Sequence, residues 1–139
     1  MKVKDLMSTQ VEAVRPDASI QEAAQKMRSL DVGAMPVVDG QQLVGMITDR
    51  DITIRATAEG RDAKSTTVRD VLSPDLASVF DDQDLAEAAR LMQDKQIRRL
   101  PVLSRDNKRL VGIVALADVA AEGGKKEVAR TVQEVSKPS

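Results

Sequence analysis

The chain writes one order of phrases twice, and that repeat limits what it can fold into. VKDLMS at Val3–Ser8 returns as VRDVLS at Val68–Ser73, 65 residues on. SIQEAAQKM (Ser19–Met27) returns as DLAEAARLM (Asp84–Met92), and MPVV (Met35–Val38) as LPVL (Leu100–Leu103), at the same offset. The offset then becomes 67, because DGQQ is replaced by the longer SRDNKR, and LVGMITDRDI (Leu43–Ile52) is matched by LVGIVALADV (Leu110–Val119). Turns tolerate insertions best, which places these two stretches on loops. A copy of roughly fifty residues buries little apolar surface alone, so two copies packed face to face are expected.

Each copy reads as strand, helix, strand, strand, helix, an α/β (α+β) pattern. VEAV (Val11–Val14) alternates like a short strand, with a counterpart around Leu76–Phe80. Ser19 and Glu22 form a capping-box pattern before Ile20, Ala23, Ala24 and Met27 at helical spacing, and Asp84 with Glu87 repeats it. Asp39-Gly40 marks a hairpin turn. A second helix is expected from Thr48 through Ile52 and Ile54 toward Ala58. The divisions are a first motif over 1–58, a polar linker over 59–67, a second motif over 68–121 and a tail over 122–139. The tail places Val128, Val132 and Val135 on one helical face.

Composition narrows the chemistry. Phe80 is the single aromatic residue, so a 42% hydrophobic chain must build its core from Val, Leu, Ile, Ala and Met. A net charge of −1 with 31% charged residues argues against a general nucleic-acid binder. Having neither Cys nor His excludes thiol and imidazole catalysis and common zinc sites, and no nucleophile–base constellation is present. No apolar run approaches about 18 residues, and MKVKDLM lacks the pattern of a secretory leader. A soluble, cytoplasmic, non-enzymatic protein with no membrane partner is expected.

Both long phrases keep a Gly and, six residues later, an Asp: Gly45 and Asp51, then Gly112 and Asp118. Thr48 precedes the first Asp by three residues, where the second copy has Ala115. Thr48 and Asp51 fit a helix cap with an acid favoured by the dipole. The same corner suits a ligand: a carboxylate can accept ribose hydroxyls, free N–H groups can meet an anion, and Gly45 would let a ligand approach the strand. Asp49 and Asp51 read better as cap and ligand groups than as a magnesium site.

With these phrases in order and duplicated, the chain resembles a tandem pair of CBS domains, or Bateman module. The resemblance runs from Val3 to about Ala121, and MITDRDI, GRD (Gly60–Asp62) and QIRRLPVL are similar to small stand-alone bacterial members. It implies two three-stranded sheets with helices in a pseudo-two-fold pair, often a homodimer, and two clefts for AMP, ADP, ATP or S-adenosylmethionine. No cofactor is required. In such clefts Thr48 and Asp51 would meet the ribose, and Arg98 and Arg99 of the other half the phosphates. Segments beside the prolines, with Met35, Pro36 and Pro101, would enclose the base. The second cleft would pair Asp118 and Ala115 with Gly33 and Ala34, unless Arg50, otherwise an exposed helix residue, brings charge to it. Lacking the hydroxyl and the arginines, the second cleft is expected to be empty or to accept an uncharged adenosine moiety, leaving one dominant nucleotide per chain at Thr48 and Asp51, with a regulated protein partner of unknown identity. The alternative is a dimerisation or docking module with no ligand.

Overall fold

A computed structural model describes residues 1–73 and 77–123 of the chain. It is a mixed helix-and-strand structure with two compact units, Glu12–Leu76 and a second made of Met1–Val11 with Ala77–Ser139. The expected tail helix with Val128, Val132 and Val135, and the strand residue Leu76, lie outside the described residues.

In the first unit, α1 (Ile20–Leu30) starts at Ser19, whose Oγ accepts the Glu22 N–H at 3.1 Å. It buries Ile20, Ala23 and Met27 and leaves Ala24 exposed, so the apolar stripe is narrower than the spacing suggested. Asp31, left-handed at φ 54°, ends it. The expected hairpin forms as β1 (Ala34–Asp39) and β2 (Gln42–Thr48), antiparallel and turning at Gly40, whose φ is +65°. The VEAV strand is reduced to one parallel bridge, Val14 to Val37, because the chain turns at once through Arg15 and Pro16. After β2, α2 (Asp49–Ile52) widens into a π-helical turn over Thr53–Thr57, with Ala58 N–H bonded to Thr53 O at 2.9 Å.

VRDVLS closes this unit. Its helical turn α3 (Val68–Val71) follows Thr67, whose N–H and hydroxyl both donate to Asp70 Oδ2, at 3.1 and 3.0 Å. The residues just before it meet free N–H groups at the start of α1: Ile20 donates to Thr66 O at 2.9 Å and Gln21 to Ala63 O at 3.1 Å. At its other end Ser73 donates to Met46 O at 3.2 Å, on the edge of β2.

The second unit repeats the plan with β3 (Val79–Phe80), α4 (Leu85–Lys95), β4 (Arg99–Leu103), β5 (Leu110–Ala115) and α5 (Leu116–Gly123). Its sheet runs β3-β4-β5, parallel then antiparallel. Both hairpins shift register at matching places, Val37/Val38 and Val102/Leu103. Here VKDLMS is the closing segment. Leu85 N–H donates to Met1 O at 3.0 Å, Val3 N–H to Gln83 O at 2.9 Å, and Ser8 exchanges two bonds with Ile113. The capping device expected at Asp84 does not form: the Glu87 N–H bonds to the Asp84 backbone O at 3.0 Å, the Asp84 carboxylate pairs with Lys2 at 3.2 Å, and the Glu87 carboxylate accepts from Gln83 instead. Each opening phrase, with the residues just before it, thus seals the helix start and hairpin of the other copy.

Each unit has its own aliphatic core. Val14, Ile20, Met27, Met35, Val37, Ile47 and Val68 pack in the first; Val3, Leu85, Met92, Leu100, Val102, Val114 and Val119 pack in the second. Buried Met27, Met35 and Met92 act as fillers, as their unbranched side chains suit.

Candidate functional site

In each unit the hairpin's last strand turns directly into a helix, and its first strand begins beside that corner. The Asp49 N–H donates to Gly33 O at 2.9 Å, and the Leu116 N–H donates to Arg98 O at 2.8 Å. Across the hairpins Ala34 faces Thr48, and Arg99 faces Ala115. The backbone frame is the same twice. Its chemistry is not.

At the first corner Thr48 has extended backbone, φ −118° and ψ 160°, and caps α2. Its Oγ1 accepts the Asp51 N–H at 3.0 Å, and Asp51 Oδ2 accepts the Thr48 N–H at 3.0 Å. The expected cap is therefore a reciprocal box. Asp51 is buried at 7% exposure, an unusual place for a carboxylate without such support. Its Oδ1 faces Arg55 Nε at 3.9 Å, too far for a hydrogen bond. The Thr48 hydroxyl hydrogen and Asp51 Oδ1 are the groups the box does not use.

At the second corner Ala115 offers no hydroxyl, and Asp118 is exposed on α5. Arg98 and Arg99 are both exposed, Arg99 opening β4. The helix before them ends at Gln96 in left-handed conformation, φ 53°, so a loop does precede the arginine pair. Arg50 is exposed on α2, with its N–H bonded to Asp49 Oδ1 at 2.8 Å. Met35 is 1% exposed within the first core, which leaves its backbone rather than its side chain for a ligand. Pro36 and Pro101 are buried in β1 and β4.

One expectation fails. Gly45 does not hold space for a ligand, because the chain fills it: a Cβ there would lie 2.8 Å from Leu72 Cδ1 and 3.1 Å from Ser73 O. At Gly112 the same atom would lie 2.7 Å from Met7 Sδ and 2.8 Å from Ser8 O. Both glycines admit the sealing segments. Sequence reasoning also passed over Arg55. The spacing of Asp51 and Arg55, four apart on one helix, was the available signal. Among the described residues no group of three His, Cys, Asp or Glu is placed to hold a metal ion, and no helix is long and apolar enough to cross a membrane.

The fold and its paired corners define a tandem α+β repeat with one strand-to-helix corner per copy. The family model of the CBS domain matches residues 3–56 and 68–124. The chain belongs to the CBS domain family. It is similar to the CBS domain-containing protein YhcV of Bacillus subtilis (strain 168), 52% identical over 118 residues, covering 85% of this chain and 82% of that one. Among solved structures it is similar to Hypoxic Response Protein I with two coordinated zinc ions, at TM-score 0.80 and 36% identity, covering 88% and 98% of the two chains. It is also similar to the CBS domain pair of protein MJ0100 in complex with 5′-methylthioadenosine and S-adenosyl-L-methionine, at TM-score 0.75 and 29% identity, covering 89% and 96%.

Proposed function

We propose that the chain is a non-enzymatic cytoplasmic sensor that binds an adenosine-containing ligand: AMP, ADP, ATP or S-adenosylmethionine. The observation that carries this reading is the first corner. Its box fixes Asp51 through Oδ2 and leaves Oδ1, with the Thr48 hydroxyl hydrogen, to meet a vicinal diol. The adenosyl ligands of MJ0100 support the ligand class. Arg98 and Arg99 are assigned to phosphate, where each charge-assisted bond contributes about 1.5–3 kcal/mol. The zinc ions of Hypoxic Response Protein I lend no support to a zinc site of the common Cys or His kind here, since this chain has neither residue. Calorimetric titration with AMP, ATP, adenosine and S-adenosylmethionine tests the proposal, with saturable heat expected from at least one. Arg99→Ala should weaken AMP more than adenosine; equal losses would place Arg99 away from phosphate.

A second reading has its own support. The box satisfies Thr48 and Asp51 without any ligand, so both residues are accounted for in a purely structural docking or dimerisation module. A silent titration across the whole panel would favour it.

A further inference from the structure

We infer that Arg55 ties the Thr48–Asp51 corner to the sealing segment over Gly45, so that events at the corner are felt in residues 68–73. The inference rests on the nucleotide reading only for what occupies the corner. Arg55 sits in the π-helical turn, and its guanidinium has two neighbours of different origin. Nε faces Asp51 Oδ1 at 3.9 Å, while Nη1 donates to Leu72 O at 3.3 Å. Helical side chains lean toward the N-terminus, which brings a residue four places on back over Asp51. Leu72 is the residue whose Cδ1 lies nearest the missing Cβ of Gly45, and the next amide, Ser73, bonds to Met46 O. One side chain therefore touches both the ligand-facing carboxylate and the strap that covers β2.

A diol hydroxyl that donates to Asp51 Oδ1 draws on the charge that now faces Arg55. The Arg55 pair weakens, and with it the hold on Leu72. Linkage makes the effect reciprocal: whatever loosens the strap also favours the ligand. Among the described residues the second unit's counterpart offers no such device. Its residue 67 places after Arg55 is Glu122, exposed on α5. A carboxylate has no donor for a carbonyl, and four residues after Asp118 it repels rather than pairs.

Hydrogen exchange on the full chain, read by mass spectrometry over residues 68–73, tests this, with residues 3–8 of the second unit as the internal reference. Without ligand, Arg55→Met should speed exchange at 68–73 by about three- to tenfold, the loss of one hydrogen bond, and leave 3–8 unchanged. Arg55→Lys, which keeps the charge and a donor, should fall between. Adenosine should speed exchange at 68–73 in the wild type but not in Arg55→Met, which should bind it more tightly. Unchanged exchange in ligand-free Arg55→Met, or equal acceleration of both segments, would overturn the tie whether or not nucleotides bind. Absence of adenosine binding to the wild type would instead overturn the nucleotide reading and the ligand arm with it, while the ligand-free arm still decides the tie.

Discussion

Asp51 shows how one side chain holds two roles apart by using different oxygens. Oδ2 belongs to the fold, through the Thr48 N–H, and Oδ1 is turned toward Arg55. Removing the carboxylate thus costs more than the roughly 0.3–1 kcal/mol of a helix-dipole contact. Asp51→Ala gives up a charged hydrogen bond from a part-buried amide and should lose about 1.5–3 kcal/mol in urea unfolding. Asp51→Asn keeps an acceptor for that amide, so it should fold well while weakening the adenosyl ligand by at least about 1.5 kcal/mol. Unchanged affinity in a folded Asp51→Asn protein would leave only the cap. The cap was legible because three-residue spacing before a helix is local. Arg55 and Leu72 meet across 17 positions of sequence, and no local pattern announces such a contact.

Among the elements, the hairpins and helices were legible wherever local chemistry decided them. Asp39-Gly40 produced its turn, and the Ser19–Glu22 pattern its cap on α1. What failed were assignments that depended on a distant partner. Asp84 lost its capping role to an ion pair with Lys2, and Gly45 its ligand role to Leu72 and Ser73. The glycines now carry a sharper expectation. Gly112→Ala sets a methyl 2.8 Å from the Ser8 carbonyl, which is backbone and can move only by opening the strap. Gly45→Ala mainly meets the mobile end of Leu72. Overpacking should destabilise Gly112→Ala by about 1–3 kcal/mol and Gly45→Ala by less, as read from urea midpoints. Equal midpoints would mean that the straps yield alike.

The straps and turns also set an acid response. Hydrogen bonds from Thr67 hold the Asp70 carboxyl below its ordinary value of 3.8, and the Arg105 guanidinium does the same for Asp82. A depressed carboxylate stabilises the fold above its unfolded pKa, and that contribution disappears as pH falls through the folded value. Urea midpoints should therefore decline as pH drops below about 4, and more shallowly in Asp70→Asn. A parallel decline in wild type and variant would remove Asp70 from the account.

At the scale of the whole molecule, duplication produced two similar frames with unequal corners. The hydroxyl and buried carboxylate of Thr48 and Asp51 have only Ala115 and an exposed Asp118 as counterparts. One dominant nucleotide per chain is the expected stoichiometry, and two equal AMP sites in titration would refute it. The chain is further expected to form a homodimer, to be checked by sedimentation: a mass of one chain at all micromolar concentrations would exclude it.

The placement of the first eleven residues with the second unit has a consequence for how the chain is made. On the ribosome, residues 12–76 emerge as one continuous stretch and can close as soon as Ser73 reaches Met46. Met1 to Ser8 are made before that stretch, and their partners at Leu85 and Ile113 are still to be translated. A segment made before the first unit can find its place only after that unit is complete. A change in residues 1–8 therefore burdens the unit whose other residues are synthesised later.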